Sequence, residues 1–332
     1  MIFFVNMPIK EKILSQLIHA NGEPISGQKL ADQLNISRTM VWKHLKSIEE
    51  DGYVIEAIKK KGYVLQSIPD IVSPERISSY LDTKSIGRNI FYYPVCESTQ
   101  TIATEKASDH AAHGTVVITE QQTAGRGRLE RPWDSSANKG IWMSVIIRPE
   151  ISPQYAAQFT LVSAVAITRA IEELTDCSPA IKWPNDLLIN GKKVTGILTE
   201  LQADMDRVQA IIIGIGVNVN QELEAFDESI QSIATSLKME TGQEVNRAEL
   251  VAKILYYLEK YADIYVENGF EPIKLLWESY NCTIGKRIRA NMLRETLEGV
   301  AMGITNDGVL ELKLDNGQIR GIYSADIHLM NK

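Results

Sequence analysis

The sequence predicts an α+β protein in three parts: a winged helix-turn-helix over residues 1–67, a central mixed α/β domain over 68–280, and a small SH3-like β-barrel over 281–332. Three observations carry this. Ahead of Pro69, apolar residues recur every three to four positions in three short runs and then alternate around a basic turn. Between Pro74 and Tyr280, short β-branched runs are mixed with long helical ones, the pattern of a sheet covered by helices. After Tyr280, short alternating runs are separated by Asn306-Asp307-Gly308 and Asn316-Gly317, both hairpin signals.

At 332 residues, 44% apolar and 23% charged, the chain has room for a sizeable core and is not disordered. Cys96, Cys177 and Cys282 lie far apart without paired spacing, which argues for reduced thiols in a cytoplasmic protein and against a zinc ribbon or disulfide frame. Residues 1–5 are apolar but too short for a signal or a membrane span, no run of about 18 apolar residues occurs, and Met7 is an alternative start. Net charge is −7. Residues 1–67 nevertheless carry nine Lys or Arg against seven Asp or Glu, so a local basic surface sits on an acidic body.

Ile13, Leu14, Leu17 and Ile18 predict a first helix that stops at Asn21-Gly22. Ser26 caps a second helix carrying Leu30 and Leu34, with Asn35 as the turn. Ser37 caps a third in which Met40, Val41, Leu45 and Ile48 face inward and Gly52 ends the run. Its outward face is Arg38, Thr39, Trp42, Lys43 and Lys46. Residues 53–58 and 63–66 then form a hairpin tipped by Lys59, Lys60 and Lys61. Three helices and such a hairpin resemble a winged helix-turn-helix, which implies the third helix in the major groove of DNA and the hairpin tip against phosphates. The alternative is a helical protein-interaction domain with a solvated charged face. The gathering of basic residues on the two elements that would meet DNA favours DNA.

The polar, proline-bearing stretch through Pro69 and Pro74 reads as a linker. Helices are expected over 74–81 and 99–112, flanking a strand at 90–94. Ser98, Thr99 and Gln100 sit at the start of the second of these helices, where hydroxyls usually cap. A buried strand over 116–120 places Gly125 and Gly127 just past a strand end, where backbone amides can approach an anion. Arg126, Arg128 and Arg131 put planar charged forks on the same loop, ahead of Trp133. The P-loop and Gly-x-Gly-x-x-Gly patterns are both missing, and a glycine-arginine loop alone is as compatible with a solvated turn as with a ligand site.

A strand is expected at 141–148 and a long helix over 153–174. Lys182-Trp183-Pro184-Asn185-Asp186 leads into an apolar run, and Asn190-Gly191 predicts a hairpin that returns through Lys193, a ligand-facing or ordinary edge-strand lysine. Residues 208–219 are almost wholly apolar and read as a central strand ending in the small residues around Gly214, Gly216 and Asn218. The acidic stretch 221–239 reads equally as a lid or a surface loop. Two helices broken at Asn268-Gly269 fill 247–280, and strands at 283–290, 298–304, 309–314 and 318–323 make the terminal barrel.

The glycine-arginine loop, the Lys-Trp-Pro-Asn-Asp segment and Gly196-Ile197-Leu198-Thr199-Glu200, in this order and separation, resemble the catalytic domain of biotin protein ligases. The flanking parts resemble the bifunctional bacterial type that doubles as a biotin repressor. The resemblance implies a biotin/lipoate ligase type of fold that makes biotinyl-5′-adenylate from biotin and ATP with Mg²⁺. Biotin would pass to a lysine of a biotin carboxyl carrier protein, the biotin domains of acetyl-CoA carboxylase and pyruvate carboxylase. The resemblance also implies operator DNA as a partner, the adenylate as corepressor, and a homodimer when the adenylate is bound. Among the residues, it implies that Ser98, Thr99, Gln100 and Gln122 contact biotin, and that Gly125, Arg126, Gly127, Arg128, Arg131, Trp133, Gly196, Gly214 and Asn218 line the biotin and adenylate site. Lys193 would bridge the biotin carboxylate and the α-phosphate, Arg128 would join it in catalysis, and Asp186 would be a base or an orienting group, or alternatively a turn cap. Leu129 and Glu130 stand where the family loop has Arg-Gly, while Arg131 keeps its place. The metal ligands are not identified by any carboxylate cluster. The other readings are a lipoate protein ligase-like enzyme and a non-catalytic biotin-sensing transcription factor.

Overall fold

The structure, a computed structural model, describes residues 8–50, 52–67 and 69–330; the apolar start and Met7, with the choice of first residue, lie outside them. The chain divides into two compact units, Met1–Ile71 and Val72–Lys332. In the first, α1 (Ile9–His19), α2 (Gly27–Leu34) and α3 (Arg38–Glu50) are followed by the antiparallel pair β1 (Val54–Ile58) and β2 (Gly62–Ser67). The caps fall where the hydroxyls predict: Ser26 Oγ accepts from the Lys29 amide and Ser37 Oγ from the Met40 amide. Val41, Leu45 and Ile48 join Ile13, Leu17 and Leu30 in the core. Met40 does not; it is 39% exposed, because the inward stripe at helical spacing passes through Val41, Leu45 and Ile48 and leaves Met40 a step round the helix.

The second unit is a seven-stranded sheet with helices on both faces and a smaller sheet at its end. Its elements are α4 (Pro74–Ser78), β3 (Ile90–Cys96), α5 (Thr99–Ser108), β4 (Val116–Gln122), β5 (Gly140–Ile147), α6 (Gln158–Leu174), β6 (Ala180–Lys182), β7 (Asp186–Ile189), β8 (Lys192–Ala203), β9 (Val208–Asn218), α7 (Leu237–Thr241), α8 (Arg247–Asn268) and α9 (Glu271–Tyr280). The strand order is β3-β4-β5-β9-β8-β7-β6, with β3 and β4 parallel and the other pairs antiparallel. The apolar β9 is the middle strand, as its composition predicts. On one face α6 is buried between the sheet and α8; on the other α5 covers a smaller cluster around Val117, Ile146 and Ile212. The helix expected over 99–112 ends at Ser108, where His110 takes a left-handed φ of 59°, and the one expected over 153–174 is a 3-10 turn at Pro153–Tyr155 followed by α6.

Beyond α9, β10 (Arg287–Asn291), β11 (Thr296–Ile304), β12 (Leu310–Leu314), β13 (Ile319–Ile322) and β14 (Asp326–Leu329) form an antiparallel sheet in the order β13-β12-β11-β10-β14. Its edge strands β13 and β14 are not paired with each other, so the sheet is not a closed barrel. The first strand starts at Arg287 rather than 283, and β14 was not foreseen, since Asp326-Ile327-His328-Leu329 is too short to show alternation. Ile288, Leu310, Leu312 and Ile327 belong to the same apolar core as the central sheet, so the two sheets share one compact unit.

A buried ion pair fastens the start of this unit. Arg247, fully buried at the start of α8, donates to Glu120 Oε2 at 2.7 Å and to the Gly140 carbonyl, while Glu120 Oε1 accepts from the Val72 amide at 2.8 Å. Asn246 caps α8 through the Glu249 amide and donates to the Tyr80 hydroxyl. Asn246→Ala is expected to cost about 1 kcal/mol and to lower the midpoint of thermal unfolding by roughly 2 °C, read by calorimetry. Among the described residues no helix is long and apolar enough to cross a membrane.

Candidate active site

The loops at the ends of β3, β4, β7, β8 and β9 enclose one pocket. Its neutral wall is built at the start of α5. Gln122 Oε1 accepts from the amide and hydroxyl of Thr99, and Gln122 Nε2 donates to Ser135 Oγ. Ser144 Oγ donates to Gln100 Oε1, and Gln100 Nε2 donates to the Ile212 carbonyl. Ser98 is buried at the cap position of α5, yet its hydroxyl makes no cap bond and has no partner. Simple capping therefore does not account for Ser98, and a buried hydroxyl left this way points to a missing polar ligand atom.

The opposite wall is cationic, and its charges sort by partner. Arg126 donates to Glu200 at 3.1 Å, Arg131 lies 2.6 Å from Asp326, and Lys193 Nζ lies 2.7 Å from Asp186 Oδ1 and 5.1 Å from the centre of the Trp133 ring. Arg128 is held differently: it donates to Asn185 Oδ1, the Ala325 carbonyl and Ser324 Oγ, all neutral acceptors. Burial pushes the Arg128 pKa down, against the opposing pull of the Asp186 and Asp326 charges. An arginine whose hydrogen-bond partners carry no compensating charge is the natural anchor for an anion. Burial alone would raise the Asp326 carboxyl, but the hydrogen bond and charge of Arg131 outweigh it and hold Asp326 below the usual carboxylate range.

The lysine reaches the pocket through a β-bulge. Leu188 pairs with Lys193 but Leu187 pairs with Thr195, so Val194 is an extra residue in β8. The shift puts Lys193 on the same face as Gly196: a Cβ at Gly196 would come within 3.3 Å of Lys193 Cε. It also leaves the Lys193 backbone to another segment, donating to the Ile233 carbonyl at 2.7 Å and accepting from the Thr235 amide at 2.9 Å. The stretch 221–239 is thus a wall of the pocket, contributing Phe226, Ile230, Ile233 and Ala234. The indole of Trp133 lies against Gly196 and Gly216, paired across β8 and β9; a Cβ at either would come within 2.7 Å of the ring.

Three domain families match the chain: the biotin/lipoate A/B protein ligase family over residues 92–218, a helix-turn-helix domain over 10–64, and the biotin protein ligase C-terminal domain over 283–330. The bifunctional ligase/repressor BirA of Bacillus subtilis is 46% identical over 321 residues, covering 97% of this chain and 98% of that one. The chain belongs to the bifunctional ligase/repressor family. BirA of Escherichia coli is 28% identical over 93% of this chain and 94% of its own. A biotin protein ligase from Aquifex aeolicus, solved in complex with biotin and ATP, is 29% identical with a TM-score of 0.63, covering 74% of this chain and all of that one.

Of the site residues expected from the sequence, Ser98, Thr99, Gln100, Gln122, Arg126, Gly127, Arg128, Arg131, Trp133, Asp186, Lys193, Gly196, Gly214 and Asn218 all line the pocket. Gly125 does not. Trp133 O, Ser135 Oγ and Gln122 Nε2 crowd it within 2.8 Å of a would-be Cβ, so its missing side chain serves the packing of the loop. Gly214 meets Gln100 in the same way. Leu129 and Glu130 both take left-handed φ, 57° and 55°, a strained choice for these residues. Asp186 begins β7 and faces Lys193 instead of capping a turn. Phe226 and the Ser324-Ala325-Asp326 edge were missed because no local pattern marks a residue brought in from a distant loop or sheet; Ser144 on β5 and Asp134 beside Trp133 were missed as well. On the first unit, Arg38, Thr39, Trp42, Lys43, Lys46, Lys59, Lys60 and Lys61 are all exposed, Trp42 by 51%.

Proposed function

We propose that the protein is an ATP-dependent biotin protein ligase that forms biotinyl-5′-adenylate, transfers biotin to a lysine of a biotin carboxyl carrier domain such as those of acetyl-CoA carboxylase and pyruvate carboxylase, and represses biotin genes with the adenylate as corepressor. What carries the reading is that the pocket lining joins a neutral hydrogen-bonding group, Ser98, Thr99, Gln100 and Gln122, to the cations Arg126, Arg128, Arg131 and Lys193. A ligand with an uncharged polar head and a carboxylate that meets a phosphate fits that lining.

In the first step a biotin carboxylate oxygen attacks the α-phosphorus of ATP and pyrophosphate leaves. Two anions must be held at attack distance, so fixed positive charge and positioning carry the reaction. Lys193 offsets the repulsion between carboxylate and α-phosphate, Arg128 anchors phosphate oxygens, and Arg131 and Gly127 complete that side. Ser98, Thr99, Gln100 and Gln122 hold the ring system, and Trp133 with Gly196, Gly214 and Asn218 shapes the cleft. In the second step a neutral lysine amine of the carrier attacks the acyl carbon and AMP leaves; Asp186, beside Lys193, would take the proton or orient the amine. Mg²⁺ accompanies ATP in this reading. Phosphate oxygens and water would supply most of its coordination, as is usual for Mg²⁺ on a nucleotide. Incubation with biotin, ATP and an isolated carrier domain tests the transfer: one biotin on the carrier lysine is expected, and an unmodified carrier would refute it.

The reading takes the chain as a cytoplasmic protein with parts at 1–67, 68–280 and 281–332, the last an SH3-like barrel left open between its edge strands. Its DNA surface is α3, through Arg38, Thr39, Trp42, Lys43 and Lys46, with Lys59, Lys60 and Lys61 on phosphates. One winged helix meets too few bases for tight specific binding, so a dimer reading two half-sites is expected. If the adenylate favours the dimer, linkage requires it to favour the operator complex as well. Sedimentation with and without biotin plus ATP is expected to show association only with both; unchanged association and operator affinity would rule this out.

A further inference from the structure

Glu200 has no role in the reading above, yet it is the partner of Arg126. Arg126 donates from its terminal nitrogen to Glu200 at 3.1 Å and 3.5 Å, while its Nε is buried and has no partner. Glu200 lies beside α5: Thr104 Oγ1, whose one proton goes to the Gln100 carbonyl at 2.8 Å, is 3.5 Å from Glu200 Oε2, so the carboxylate sits next to the helix that carries the neutral wall of the pocket. Gln202, two residues on and so on the same face of β8, donates to the Thr104 carbonyl. The pairing has two consequences. It cancels the charge of Arg126, unlike Arg128, whose hydrogen-bond partners are neutral. It also fixes the plane of the guanidinium and leaves an unsatisfied donor, which is costly unless a ligand completes it.

We infer that Glu200 is a positioning residue: it neutralises Arg126 and aims its Nε–H at an uncharged acceptor on the biotin end of the substrate, leaving the phosphates to Arg128 and Lys193. This rests on the ligase reading. The experiment is biotin-dependent pyrophosphate exchange by the full chain, with KM for biotin, KM for ATP and kcat determined separately. Glu200→Ala is expected to raise KM for biotin about tenfold, the size of one lost hydrogen bond to a charged group, with KM for ATP and kcat within about threefold. Glu200→Gln keeps an oxygen for Arg126 and is expected to restore KM for biotin to within about threefold of the unaltered protein. Glu200→Ala placed on Arg126→Ala is expected to add nothing, because the effect passes through Arg126. Arg126→Lys retains charge but loses Nε–H and is expected to match Glu200→Ala, so the inference stays testable should Glu200→Ala fail to fold. A fall in kcat and a rise in both KM values together, an additive double variant, or unchanged KM for biotin in Glu200→Ala or Arg126→Lys would overturn it. Absence of exchange in the unaltered protein would instead sink the ligase reading itself.

Discussion

Lys193→Ala is expected to slow adenylate formation by about a hundredfold or more with the fold intact, whereas Lys192→Ala changes it only a few-fold. The two lysines are neighbours in β8, and only Lys193 lines the pocket. Its ammonium lies 2.7 Å from Asp186 and over the face of Trp133, on the wall shared with Gly196. Lys192 pairs with Ile189 beside the Asn190-Gly191 turn. A cation between two anions acts most strongly where their charge is concentrated in the transition state, so its loss resembles the loss of an oxyanion donor. Single-turnover adenylation, with circular dichroism as a check on folding, decides the matter. Equal effects would mean that the lysine in the pocket is not the one that handles the reacting groups.

Removing residues 1–67 is expected to abolish sequence-specific DNA binding and to leave biotin activation largely intact. The first unit has its own core, from Ile13 to Tyr53, and its exposed Lys and Arg residues lie on α3 and the hairpin, apart from Lys29 on α2. The cut spares the Val72 amide, which Glu120 holds together with Arg247, so the catalytic unit keeps the contact that fastens its start. Operator gel shifts and pyrophosphate exchange on the truncated chain check both halves. Loss of exchange in a folded truncation would show that the two activities are structurally entangled.

Much of this architecture was legible because it is written in local patterns. Ser26 and Ser37 cap, Asn190-Gly191 turns with φ of 50° and 80°, and the apolar run of β9 is central because only a central strand is covered on both faces. Most of the site was legible too, but through motif resemblance rather than periodicity. What escaped was set by tertiary context. Alternation alone would place Lys193 with Thr195; the bulge at Val194 reverses that, and no residue type announces a bulge. Ser98 sits where a cap is expected and does not cap. Arg128 and Arg131 find their partners at Ser324, Ala325 and Asp326, nearly 200 positions away, beyond the reach of any local reading. Leu129 and Glu130 adopt left-handed backbone that favours glycine, which neither residue type announces.

The central claim is that this pocket activates biotin with ATP, and isotope exchange between pyrophosphate and ATP tests it most directly. Label is expected to enter ATP when biotin is present and not when it is omitted. Exchange supported by lipoate in place of biotin, or no exchange in a folded protein that binds biotin, would contradict it.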